Sequence, residues 1–196
     1  MKKPQFMMFS GGQSVDLNNF DPSELTIEEL ALSLARINRF AGHTKKGITY
    51  SVAEHSVWVS DNAHPGLAYP ALMHDVEEAV FGDIPSPAKH LSKDIKVAGD
   101  KIRAQIWQEH GCFATELEWD HIHDVDYLAL QTEARDLMHH NIEQYIPFPK
   151  HYSPTIFPLM NEDEIVQQFI DRFRVVSVVF KRWCKAEAAK KAERVA

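Results

Sequence analysis

The stretch Leu72-Met73-His74-Asp75-Val76-Glu77-Glu78 sets an adjacent histidine and aspartate, with a carboxylate one turn on, inside otherwise apolar sequence. At helical spacing His74 and Glu78 are four apart and Asp75 and Glu78 three apart, so they share one edge. Burying such groups without partners is heavily penalised, and a divalent cation removes most of that penalty. The competing reading is structural: a polar face that holds His74 in a salt-bridge network. Upstream, Glu54-His55-Ser56 offers a second imidazole; downstream, Asp124-Val125-Asp126 offers a remote carboxylate from either aspartate. One histidine, a His-Asp pair and a remote aspartate on three helices make a two-nitrogen, two-oxygen set suited to one divalent transition metal ion, Zn, Co, Mn, Fe or Ni. An octahedral ion held by four protein ligands keeps two positions for water and a phosphate oxygen. Gly82-Asp83-Ile84-Pro85-Ser86-Pro87-Ala88-Lys89 follows at once and adds a carboxylate and a lysine just past the helix end.

The elements that must carry these residues read as helices. Thr26 with Glu29 fits a capping box, and Ile27, Leu30, Leu34 and Ile37 fall at helical spacing, predicting a helix from about Ile27 to Phe40. Ser51 with Glu54 repeats the pattern and opens a second helix, from Val52 to about Asn62. A third spans Tyr69 to Phe81, stopped by Gly82 and by Pro85 and Pro87. Asp94 to Glu109 and about Asp120 to His140 follow. The proline-rich segment Ile146–Pro158 is a loop, and Asn161 to about Glu193 is a last long helix. Gln5–Phe9 and Ser14–Leu17 flank Gly11-Gly12 as a small hairpin. The expectation is an all-α helical bundle with an N-terminal β-hairpin, one domain over residues 1–196, its core at about 20–140.

Composition narrows the function classes. The chain has 196 residues, 44 % hydrophobic and 25 % charged, ordinary for a globular protein with a real core. No apolar run approaches the ~20 residues of a membrane span, and the N-terminal apolar stretch is too short for a signal peptide. Cys112 and Cys184 lie far apart and in no metal-binding spacing, which fits a reduced, cytoplasmic setting (the host's, if the source is a virus). Formal net charge is −7, so the broad positive footprint of a nucleic-acid binder is missing. An acidic chain that binds phosphate must concentrate positive charge locally. Its 11 histidines raise the prior for a metal site.

The order of His55, His74-Asp75 and Asp126 resembles the HD-domain phosphohydrolases. The likeness is closest to the branch of 5′-deoxynucleotidases and phage-type deoxynucleotide phosphohydrolases, including dATP triphosphohydrolases. It runs from about Phe9 to Leu137. Its marks are Ile37-Asn38-Arg39-Phe40, Tyr50-Ser51-Val52-Ala53-Glu54-His55-Ser56, His74-Asp75 through Gly82-Asp83-Ile84-Pro85, and Thr132-Glu133-Ala134-Arg135-Asp136. The resemblance implies that His55, His74, Asp75 and Asp126 are metal ligands, which favours Asp126 over Asp124. It implies catalytic carboxylates at Glu78 and Asp83, a phosphate-contacting Arg39, and Lys89 near the phosphates. Phe40 stands where relatives often carry tryptophan beside the sugar, and His123 where they commonly have lysine. Neutral histidine would supply less charge to a polyphosphate than lysine does.

The expected function is hydrolysis of a 2′-deoxynucleotide at its phosphate, releasing phosphate from a 5′-monophosphate or triphosphate from a dNTP such as dATP. A phosphodiesterase or guanosine-polyphosphate hydrolase is the second enzymatic reading; it would need a second divalent ion and draw on His90, His110, His121 or His123. A non-catalytic nucleotide-binding module is the third. The expected partners are a small nucleotide and, given the long last helix, further copies of the chain, with no nucleic acid and no membrane. Arg135 reads as a structural ion-pair residue, and Phe169, Phe173, Val176 and Phe180 as core or oligomer seam.

Overall fold

The computed structural model describes residues 5–91, 93–150, 153–159 and 161–193. In the first helix, α1 (Ile27–Arg36), the Thr26 hydroxyl accepts from Glu29 N, and Leu30, Ala31 and Leu34 bury one face. The helix stops four residues short of the expected Phe40. Ile37 is extended, and Ile37 to Arg39 pair instead with the strand-like approach to the next helix: Val52 N donates to Ile37 O and Arg39 N to Tyr50 O. Phe40 and Ala41 then adopt left-handed backbone, with φ of 56° and 50°.

Helix α2 (Val52–Asn62) opens on a reciprocal capping box in which Ser51 Oγ and Glu54 serve each other's backbone N–H groups. It is buried on nearly every side, polar residues included, so it is the central element of the bundle. The expected third helix is two. Helix α3 (Ala68–Leu72) ends at Met73, and α4 (Glu78–Phe81) begins only after a tightened turn. Across 73–80 the backbone bonds run three residues back, from Val76 N to Met73 O, Glu78 N to Asp75 O, Ala79 N to Val76 O and Val80 N to Glu77 O. That spacing narrows the turn and rotates its side chains relative to an α-helix.

Pro87 lies in the first turn of α5 (Ser86–Lys89), where its missing N–H does no harm. Helix α6 (Lys93–Glu109) is followed by α7 (Glu116–Leu137), which starts earlier than expected because the Thr115–Glu118 capping box opens it. Residues 153–159 are irregular, as their prolines require, and α8 (Glu162–Glu193) closes the chain. Two short strands, β1 (Phe6–Met8) and β2 (Ser14–Asp16), pair antiparallel with Met7 opposite Val15. The architecture is therefore all-α with a small N-terminal hairpin. The main core joins α1, α2, α3 and α6 to the buried face of α8, where Phe169, Val176 and Phe180 lie with Phe173 at their edge. No helix among the described residues is long and apolar enough to cross a membrane.

The Ser51 cap sets where α2 begins and ties it to the far loop, because Glu54 also accepts from Leu159 N at 2.7 Å. Ser51→Ala is expected to cost about 1–2 kcal/mol and to lower Tm by roughly 2–8 °C in a thermal melt. An unchanged Tm would mean that the box contributes nothing.

Candidate active site

Three elements deliver four donor groups to one point. His55 comes from the first turns of α2, His74 and Asp75 from the tightened turn after α3, and Asp126 from the middle of α7. His55 Nε2 lies 3.3 Å from His74 Nε2, 3.5 Å from Asp75 Oδ2 and 3.2 Å from Asp126 Oδ1. His74 Nε2 is 3.2 Å from Asp75 Oδ2 and 3.8 Å from Asp126 Oδ1. Donors bound at about 2.1 Å around one ion stand roughly 3.0–3.4 Å apart, so the spacing fits a single cation. His55, His74 and Asp75 form the tight trio, and Asp126 meets it through the two imidazoles. Asp124 is exposed, so the choice between the two aspartates falls on Asp126.

Both rings are already oriented. His74 Nδ1–H donates to Ala71 O at 2.8 Å, and His55 Nδ1–H donates to Glu133 Oε1 at 2.5 Å, which turns each Nε2 into the cluster. Burial opposes charging of both rings, yet neighbouring carboxylates outweigh it. Glu133, Asp126 and Asp75 hold His55 well above its ordinary range, while Asp75 and Asp126 push His74 up to about 10. Burial likewise opposes ionisation of Asp75 and Asp126, and the two imidazoles nonetheless keep both far below the usual carboxylate range.

Glu133 is the functional residue that sequence reasoning left without a role. It is fully buried, and its second oxygen accepts from Arg39 Nε at 3.3 Å and Nη2 at 3.1 Å. The signal was present: Glu133 lies seven residues after Asp126, about two turns on the same face of α7. Arg39, implied by the resemblance to grip phosphate, turns its Nε–Nη2 edge inward to Glu133. Nη1 lies 3.9 Å from Asp83 Oδ2. Phe40 lies beside the guanidinium, 5.7 Å from Arg39 Cζ to the ring centre.

Glu78 and Glu77 diverge. Glu78 Oε1 accepts from Lys89 Nζ at 2.9 Å and Glu77 Oε1 from Arg103 Nη1 at 3.1 Å; the second oxygen of each is buried without a partner among the described residues. Burial first, then Asp75 and Asp83, push Glu78 up to about 8; burial and Asp75 push Glu77 up to about 7. Beside the cluster lies a cavity of about 380 Å³ lined by His74, Asp75, Asp126, Glu77, Glu78 and Lys89, and by residues of α6 and Trp119. His123 lines it too, exposed, its ring 4.9 Å from that of Trp119. His55, Arg39, Phe40 and Asp83 do not line it.

Of the histidines proposed for a second ion, His90 and His123 reach this cavity and His110 and His121 do not. Among the described residues no second group of three donors comes together. Arg135 forms the expected ion pair, bidentate with Asp136 at 2.7 and 2.8 Å.

YfdR of Escherichia coli strain K12, an uncharacterized protein, is 36 % identical over 135 residues, which is 67 % of this chain and 72 % of YfdR. An uncharacterized protein of Rhodobacter capsulatus is 34 % identical over 119 residues, 57 % of this chain and 60 % of its own length. No protein-family model matches the chain.

The charged imidazoles make a prediction for metal-free protein. The folded pKa of His74 is raised, so its contribution is complete below about pH 6.5 and is lost as pH climbs through about 10. Tm measured in chelator should fall between pH 7 and 10.5 by the equivalent of a few kcal/mol. His74→Gln should flatten that fall. A variant profile as steep as the wild type's would place the titration elsewhere.

Proposed function

The chain belongs to the same family as YfdR of Escherichia coli, and we propose that it is a metal-dependent phosphohydrolase that acts on 2′-deoxynucleotides at their phosphate. One observation carries the reading: two oriented imidazoles and two carboxylates from three elements meet at ion-binding distances beside a cavity that also holds an elevated carboxyl group. The residues fit one divalent cation, and His55, His74, Asp75 and Asp126 would hold it. When bound, such an ion supplies Lewis acidity to a phosphoryl oxygen and lowers the pKa of water.

The chain's own groups do the rest. Glu78, raised to about 8 despite the Lys89 ammonium, is poised to exchange a proton with water or with a leaving oxygen. Lys89 anchors Glu78 and presents a point charge to the phosphate. Asp83 adds negative potential that helps to keep Glu78 protonated, and it holds the outer edge of Arg39. Arg39 acts through Glu133 on His55, fixing the ring that must present Nε2. His123 stands at the cavity wall, where it can donate to or accept from substrate. The deoxynucleotide assignment rests on the likeness to the 5′-deoxynucleotidase branch. It covers both release of phosphate from a monophosphate and release of triphosphate from a dNTP, dATP included, as in the phage type. A cytoplasmic setting agrees with the two free cysteines, and the exposed Val175, Val178, Val179 and Trp183 of α8 suit pairing with a second copy.

Incubating metal-loaded protein with each dNMP and dNTP, and separating nucleoside, phosphate and tripolyphosphate, tests the reaction. Release of neither phosphate nor tripolyphosphate from any of them would sink it, and tight binding without product would favour a nucleotide-binding module. Glu78→Ala should lower turnover by roughly 100-fold or more with metal content, read by elemental analysis, near wild type. Loss of the ion in that variant would assign Glu78 to ligation instead. Glu133→Gln should weaken metal affinity by about 10–100-fold in a chelator competition, because His55 loses its orienting carboxylate. Wild-type affinity there would show that the ring needs no such support.

A further inference from the structure

We infer that the α6 wall of the cavity receives a nucleobase and reads its edge through Glu77 and Arg103, favouring bases with an exocyclic amino group. The inference rests on the proposed function only in taking the substrate to be a nucleotide. The cavity, at about 380 Å³, has room for more than a phosphate and falls in the range of small-molecule sites.

That wall is a poor cradle for further phosphates. The Arg103 guanidinium is held on three sides: Nη1 donates to Glu77 Oε1 at 3.1 Å, Nη2 donates to Asp100 Oδ1 at 2.7 Å, and Cζ lies 4.5 Å from the Trp119 ring centre. Lys96 Nζ also donates to Asp100, at 3.0 Å. Both cations are thus already committed to carboxylates instead of standing free for a polyphosphate. Ile84, Ile95 and Ile122 add apolar surface to the cavity. The Trp119 ring and these apolar side chains suit the faces of a flat, neutral ring, and the guanidinium is left to meet its edge.

The polar edge is specific as well. Glu77 is buried, lines the cavity and leaves Oε2 without a hydrogen-bond partner among the described residues. A buried acceptor of this kind lacks an N–H partner, and a base seated against this wall would supply one once the side chain turns toward it. Adenine, cytosine and guanine each carry an amino group for the carboxylate and a ring atom or carbonyl that can accept from Arg103. Thymine flanks its one N–H with two carbonyls and sets an oxygen against the carboxylate.

Binding of the four 2′-deoxynucleosides, which carry no phosphate, to metal-loaded protein by titration calorimetry tests this. Wild type should bind at least one amino-bearing nucleoside, with thymidine roughly tenfold weaker or more. Arg103→Ala should weaken the favoured nucleoside by about tenfold, and Glu77→Gln should narrow the gap to thymidine. If Arg103→Ala does not fold, Arg103→Lys replaces it, since lysine keeps the charge but lacks the planar fork. The inference is overturned if no nucleoside binds, if thymidine binds as well as the others, or if folded variants keep wild-type affinity and ranking. Nucleoside binding is read without turnover. A protein that binds bases as expected but releases no phosphate would overturn the hydrolase reading alone; phosphate release without base preference would overturn this inference alone.

Discussion

Glu133 is a carboxylate wholly inside the protein, with His55 on one oxygen and Arg39 on the other. An ionised group there without partners would be very costly, so both contacts are conditions for the fold as well as for the site. Burial favours the neutral acid, and the guanidinium and imidazole overcome it to keep Glu133 ionised. This one group therefore couples three distant segments. Through His55 it fixes the ring of α2 that faces the cluster. Through Arg39 it anchors the turn where Phe40 and Ala41 take left-handed backbone, a conformation that costs roughly 1–3 kcal/mol per residue and needs surroundings that enforce it. The backbone bonds from Arg39 N to Tyr50 O and from His43 N to Phe40 O supply that enforcement. Through its place on α7 it brings Asp126 to the same point.

The second constraint is the narrowed turn at residues 73–77. Its three-residue bonds let His74 and Asp75 face α2 and α7 while the next two carboxylates separate. Glu77 reaches α6, where Arg103 waits, and Glu78 reaches Lys89 at the end of α5. Two adjacent glutamates in one apolar stretch thus find different cations. Each remains only half satisfied, and both are pushed upward in pKa. The cavity lies between these two pairs.

What was legible in the sequence follows from which forces are local. The capping boxes at Thr26–Glu29 and Ser51–Glu54 involve neighbours three apart, so the starts of α1 and α2 could be read from residue type alone. Thr115 and Glu118 carried the same signature, but the apolar periodicity that opens the reading begins only later, and the start of α7 was placed at Asp120. The ends of α1 and α3 were not legible. No glycine or proline lies within Ile37–Phe40 or Met73–Glu77, and both interruptions arise from long-range partners, Tyr50 and Val52 in one case and packing against α2 in the other. The donor set His55, His74, Asp75 and Asp126 could be read because its residue types and order are unusual. Glu133 and the inward fork of Arg39 could not, because a glutamate two turns after an aspartate is common on solvated helices. Only the packing of α7 against α2 takes it out of water.

The charge balance of the site bears on why an acidic chain would bind a phosphate at all. Asp75, Asp83, Asp126, Glu77, Glu78 and Glu133 gather around Arg39, Lys89 and Arg103, an excess of negative charge when all are ionised and the imidazoles are neutral. In the metal-free protein, protonated His55 and His74 reduce that excess, which is why their pKa values rise. A divalent cation would displace those two protons and return the same two charges at a single point that a phosphate oxygen can reach, whereas the imidazolium protons point into the cluster. Arg39 cannot substitute, since most of its fork is committed to Glu133. Under the proposed hydrolysis the ion is then a condition for the phosphate to approach as well as a source of Lewis acidity. Affinity for substrate and affinity for metal become one linked equilibrium.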